Sequence, residues 1–182
     1  MKATGIVRRI DDLGRIVVPK EIRRTLRIRE SDPLEIFMGN EGEIILKKYS
    51  PIGELGEFAK QYADAIYQTI GRTVFITDRD RVVAVAGAGK KEYEGTEISS
   101  RLSMAIEERA NGKAFKEESG FIKITTEERE EYSSQVISTI ISQGDAIGAV
   151  ILCEKDDRKK VGDMEWKVAE AAAVFLGKQM EQ

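Results

Sequence analysis

The residues best placed to do chemistry in this 182-residue chain are arginines and lysines near its start. A short helix is predicted to open at Pro19, a residue suited to the first helical position. Lys20, Arg23, Arg24 and Arg27 then fall at i, i+3, i+4 and i+7, which is one helix face. Ile22 and Leu26 project from the opposite face, toward a core. So many like charges on so short a helix repel one another, so the face needs solvent or a polyanion. Arg8, Arg9 and Arg15 stand just upstream, on two predicted strands, 5–10 and 15–18. The turn Asp11-Asp12-Leu13-Gly14 joins those strands. Residues 1–29 hold nine Lys or Arg against three acids, while the whole chain carries a net charge of −3. Positive charge concentrated on an otherwise acidic protein is the electrostatic footprint of nucleic-acid binding.

Composition excludes much else. The chain has no histidine, which removes Ser-His and Cys-His pairs, histidine bases and most zinc sites. Cys153 is the single cysteine and lies in an apolar run, so it reads as a small core residue. No enzyme activity, cofactor or metal is expected. Gly87-Ala88-Gly89-Lys90-Lys91 follows a predicted strand but fails as a phosphate loop. Its first motif glycine is Ala84, and Lys91 stands where Ser or Thr is required. The acidic run Glu127, Glu128, Glu130 and Glu131 reads as a solvated loop rather than a cation site. No stretch approaches the roughly 18 apolar residues of a membrane span. Arg8 and Arg9 interrupt the start too early for a signal peptide. A cytoplasmic location is expected, with no membrane partner.

The elements that must position the arginines form a first domain, residues 1–50, predicted as β-β-α-β-β. Leu34, Ile36 and Met38 alternate with polar Glu35, and Ile44 and Leu46 alternate with Glu43 and Lys47. Gly39-Asn40-Glu41-Gly42 is the turn between them. About 50 residues of short strands make a poor isolated core, so this reading requires a dimer.

Residues 51–55 are expected as a linker, and residues 56–182 as a second domain. Ser50 is placed to cap a helix over 54–70, with Pro51 in its first turn and Gly71 ending it. A second helix over 162–180 closes the domain. Both can simply cover a sheet, or also build a helical bundle between protomers. Ala169, Ala173 and Gly177 form a stripe of small residues where another helix could approach closely. Between these helices lie predicted strands at 73–78, 81–86, 115–118, 121–125, 135–142 and 146–154. An amphipathic helix is predicted over 96–109, ended by Asn111-Gly112. The fold class is α+β.

The string TGIVRRIDDLGRIVVPKEIRRTLRI, with the strands that follow it to about residue 50, resembles the signature of the AbrB-type transition-state regulators. That resemblance implies a swapped-hairpin β-barrel in which two chains interlace to bind double-stranded DNA. It assigns DNA contacts to Arg8, Arg15, Arg23 and Arg24. Arg9, Lys20 and Arg27 are expected beside them as flanking phosphate contacts. The second domain is similar in element order to a GAF domain, an antiparallel sheet flanked by helices that often binds a small ligand. Any pocket is expected between the sheet and the region 92–109, and its ligand is not legible. The single cysteine does not match methionine sulfoxide reductases built on that fold. Together the resemblances imply a regulator of sporulation genes, activator and repressor, associated with the nucleoid and acting in the forespore. The implied assembly is a homodimer through the first domain and a homotetramer through the helices of the second. The alternative is a MazE-type antitoxin that binds DNA and a partner toxin, although such antitoxins usually end in a flexible tail.

Overall fold

The computed structural model describes residues 5–127 and 131–181. The chain divides into two compact units, Met1–Tyr49 and Ser50–Gln182.

In the first unit, helix α1 spans Lys20–Thr25, with Pro19 as its cap. The Arg23 amide donates to the Pro19 carbonyl at 2.9 Å. Arg27 adopts φ 52°, and the Ile28 amide turns back to the Arg23 carbonyl at 2.7 Å. This left-handed residue ends the helix after six residues. Strands β1 (Leu34–Met38) and β2 (Ile44–Lys48) pair antiparallel, with Ile36 opposite Leu46 and Met38 opposite Ile44. The first two expected strands are not formed within one chain. A strand exists only when its amides and carbonyls are paired. Within 5–18 two backbone bonds close the turn, Asp11 amide to Arg15 carbonyl and Gly14 amide to Asp11 carbonyl, both 3.0 Å. Most apolar side chains of the unit stay uncovered, with Val7 at 87% and Met38 at 90% exposure. Ile22 and Leu26 also find no core, Ile22 being half-buried and Leu26 exposed.

The second unit is a three-layer sandwich of helix, sheet and helix. Its five-stranded sheet has the order β4-β3-β7-β6-β5, with every neighbour antiparallel. The strands are β3 (Thr73–Asp78), β4 (Val82–Ala86), β5 (Asn111–Phe115), β6 (Ser134–Ser142) and β7 (Asp145–Glu154). The apolar run of β7 lies at the centre, as a strand buried on both faces must. A two-residue turn joins β6 to β7, with Gln143 at φ 49° and Gly144 at φ 88°. Positive φ at both positions suits the right-handed twist of the hairpin.

Alternating strand residues feed two cores. On one face, Val74, Ile76, Val150 and Leu152 pack with helix α3 (Gly56–Ile70) and helix α6 (Asp163–Gln179). On the other, Phe75, Ile137 and Ile151 pack with Leu102 and Ile106 of helix α5 (Ser100–Glu107). Each large side chain fully buried here contributes about 2 kcal/mol.

Several element boundaries differ from expectation. Residues 51–55 are not a free linker, since Pro51–Glu54 form helix α2 and Ile52 is fully buried. Ser50 Oγ accepts the Gly53 amide at 3.0 Å, the expected cap. Helix α5 is shorter than 96–109, because Ser99 caps it at one end and Arg109 (φ 58°) turns the chain at the other. Asn111 therefore begins β5 instead of ending a helix. The expected strand 115–118 is a turn, in which the Glu118 amide donates to the Phe115 carbonyl at 2.8 Å. Over 121–125 only an isolated bridge forms, Thr125 to Ile98. Here the buried Gln135 side chain faces Ile122; with its amide oxygen and nitrogen exchanged it would donate to the Ile122 carbonyl at 2.8 Å and accept its amide at 2.5 Å.

Candidate nucleic-acid interface

The turn and the short helix of the first unit carry the cationic side chains. Arg8 and Arg9 precede the turn and are exposed. Arg15 follows it, also exposed, and is tied to Asp11. The Asp11 carboxylate accepts the Leu13 amide at 3.1 Å and the Arg15 amide at 2.8 Å through Oδ1. It accepts Arg15 Nε at 2.8 Å through Oδ2. The Arg15 amide and then its guanidinium hold the Asp11 carboxyl below its ordinary range, so it is ionised at neutral pH.

On α1, Lys20 and Arg24 are exposed and Arg23 is half-buried, three residues sharing one helix face. Arg23 Nε is buried without a hydrogen-bond partner. Arg27 does not join this face, because the helix has already ended at Thr25. It is half-buried, and its carbonyl accepts Lys48 Nζ at 2.8 Å. The residue that sequence reasoning missed is Asp11. Its signal was an acid placed before a glycine-closed turn, four residues from an arginine.

In the second unit, helix α4 (Lys90–Tyr93) follows the glycine-rich stretch, and Gly89 serves as its cap. Lys90 Nζ lies 3.3 Å from Asp64 of α3, an ion pair rather than a phosphate cradle. A cavity of about 500 Å³ is lined by Glu92, Tyr93, Thr96, Glu97, Thr125 and Glu127, among others. It adjoins the region expected to hold a pocket. Of the acidic run, Glu127 lines this cavity and Glu131 pairs with Lys116 at 3.0 Å. Glu128 and Glu130 lie outside the described residues. Among the described residues no cluster of potential metal ligands occurs, and no helix is long and apolar enough to cross a membrane.

Helices α3 and α6 share an aromatic cluster. Ring centroids are 6.1 Å apart for Phe58 and Tyr62, 5.9 Å for Phe58 and Phe175, and 5.3 Å for Tyr62 and Phe175. Phe58 and Phe175 remain partly open to solvent. The small residues do not serve another helix. Ala169, Ala173 and Gly177 are buried in the unit's own core. A Cβ on Gly177 would lie 2.0 Å from the Ile141 carbonyl oxygen of β6.

Residues 54–181 match the family model for the stage V sporulation protein T C-terminal domain, described as a transcription factor. Across all 182 residues the chain is 52% identical to stage V sporulation protein T of Bacillus subtilis, covering 100% of both chains. This chain belongs to the stage V sporulation protein T family. Residues 7–54 match the model for the MazE antitoxin, described as antidote-toxin recognition. Over 51 residues, 28% of this chain and 52% of the relative, it is 63% identical to the transition state regulatory protein AbrB of B. subtilis. The head expected from the opening string is therefore AbrB-like. The PixJ GAF domain of Thermosynechococcus elongatus superimposes with a TM-score of 0.57 at 11% identity, over 74% of this chain and 89% of that one. The second unit accordingly has the GAF fold. The family is one of transcription factors, as the sequence resemblance implied.

Proposed function

We propose that the chain regulates sporulation genes, as activator and repressor, by binding double-stranded DNA through Arg8, Arg15, Arg23 and Arg24. Arg9 and Lys20 add phosphate contacts, and Arg27 contributes charge from the helix end. The observation that carries this reading is the arginine-bearing turn and helix on a unit whose apolar residues lie uncovered. Among its described residues no apolar side chain larger than proline is buried. A second copy supplies the missing core by interlacing with the first, and so doubles the cationic surface.

The aromatic cluster of α3 and α6 pairs these dimers into a homotetramer, and linked heads gain avidity on DNA. The GAF-fold unit senses a small ligand, which regulates only by binding one assembly or orientation better than another. The protein works on the nucleoid, in the cytoplasm of the forespore. The antitoxin match favours a toxin-binding head, but a folded unit follows where antitoxins of this kind carry a flexible tail.

A duplex selected from a random-sequence library provides the test. Its affinity for the protein should fall with salt at a log–log slope of about −0.9 per phosphate neutralised. Arg23→Ala with Arg24→Ala should keep the wild-type mass in light scattering and lose at least about 30-fold in affinity, two good arginine contacts each being worth about 1–3 kcal/mol. A flat salt titration, or retained affinity in the double variant, removes the assigned surface.

A further inference from the structure

An acid at the tip of a DNA-binding turn is electrostatically misplaced, since phosphate repels it. Asp11 is such an acid, and its contacts explain why it stands there. Its Oδ1 holds the Leu13 and Arg15 amides, which shapes the turn, and its Oδ2 takes Arg15 Nε. A guanidinium has five N–H donors in a planar fork. Asp11 engages only the Nε side, so both terminal nitrogens stay available along one edge. Among the described residues neither terminal nitrogen of Arg15 has a hydrogen-bond partner. That edge is the one that makes paired contacts to guanine or to phosphate oxygens. Asp12, the neighbouring acid, makes no hydrogen bond or ion pair among the described residues.

We infer that Asp11 is a positioning residue, clamping Arg15 by Nε so that its two terminal nitrogens meet DNA in one fixed orientation. The inference rests on the proposed role of Arg15 as a DNA contact. Holding a long side chain in advance removes part of the ordering cost of binding. Coulomb repulsion and positioning predict opposite signs when the acid is neutralised, and this makes the inference decidable.

Asp11→Asn retains an oxygen for the two amides but presents nitrogen or loses charge toward Arg15 Nε. With the full-length protein and the selected duplex, it should weaken binding about tenfold, whereas Asp12→Asn should leave it equal or tighter. Asp11→Glu, which keeps the charge and moves it by one methylene, should weaken binding as well. The loss from Asp11→Asn should vanish in an Arg15→Ala background and persist in full in an Arg24→Ala background. A general distortion of the head would instead carry over to both backgrounds. A loss equal on an unrelated duplex places the contact on phosphate, and a larger loss on the selected duplex places it on a base edge; both agree with the clamp. Tighter binding by Asp11→Asn overturns it, as does a loss that survives Arg15→Ala. If Arg15→Ala itself binds like wild type, Arg15 is not a contact, and the clamp falls with that assignment. If Arg15→Ala weakens binding and Asp11→Asn does not, the clamp falls alone.

Discussion

Arg72, between α3 and β3, joins two further elements of the second unit through its guanidinium. It donates to Glu154 at the end of β7 and, at 2.9 Å, to Glu165 in the first turn of α6. Burial raises the Glu165 carboxyl, with only 6% of its side chain exposed. The Gly162 amide, its own amide and Arg72 together outweigh burial and hold it below its ordinary value of 4.5. A depressed carboxyl stabilises the fold above its unfolded pKa and loses that contribution as pH falls through the folded value. Arg72→Met leaves two poorly hydrated carboxylates without their cation and should cost about 3 kcal/mol at pH 7. The gap in melting temperature between wild type and variant should narrow as pH falls below about 4.5, as the Glu165 carboxyl protonates. A gap that stays constant with pH would mean that packing, not charge, sets the cost. None of this was legible in the sequence, because the partners stand 82 and 93 residues away from Arg72. The arginines at the start were legible because their order and spacing lie within one short segment. Arg27 was misplaced there because helical spacing says nothing of where a helix stops. A positive φ at a non-glycine residue gives no warning in sequence.

Elements with strong periodicity and clear punctuation were the readable ones. β3 was expected at 73–78 and spans Thr73–Asp78, with Asp78 closing the next turn by accepting the Asp80 and Arg81 amides at 2.7 and 2.6 Å. The segment 121–125 was expected as a strand beside Gly120. Its partners are scattered, the Ser99 amide on the Ile124 carbonyl, the Ser99 hydroxyl on the Lys123 carbonyl and the bridge of Thr125 to Ile98, which no periodic pattern reveals. Helix α6 illustrates the opposite error. Its small residues suggested a helix partner, and they instead let the helix approach its own sheet. Gly177 is the closest point, with the Ile141 carbonyl oxygen 2.0 Å from where a Cβ would lie. That oxygen belongs to the backbone of a central hairpin, so it cannot swing aside as a side-chain tip would. Gly177→Ala should therefore push α6 off β6 and destabilise the unit by about 2–3 kcal/mol, read as a lower denaturation midpoint. Ala173→Gly would create no such clash, and its effect should be limited to helix propensity and a lost methyl. Equal stability of Gly177→Ala and wild type would show that the helix can slide, contrary to the contact described.

For the molecule as a whole, the decisive quantity is apolar surface left open. The first unit has no core of its own, and the second has two, yet it still exposes aromatics on α3 and α6. Phe175 keeps 40% of its surface and Phe58 36%, and Val174 beside them keeps 54%. Single exposed apolar residues are ordinary, whereas clustered aromatics at ring-contact distance form an anchor of the kind that dominates interfaces. A second copy suits this patch on chemical grounds: it supplies the same rings through the same face, as a two-fold contact requires. With the interlaced heads proposed above, two such contacts per pair of dimers would close the proposed tetramer. Light scattering of the full chain should then give about four times the 20.4 kDa of one protomer. Phe58→Glu with Phe175→Glu places two acids where rings would meet, and their desolvation should reduce the mass to about twice the protomer. Each unit should otherwise stay folded, because both positions already touch solvent. The variant's affinity for a DNA fragment carrying one site should be unchanged, while its affinity for two linked sites should drop by the avidity lost. A wild-type mass of only two protomers, or a variant that still assembles to four, would remove these helices from the assembly and leave their aromatics without an assigned partner.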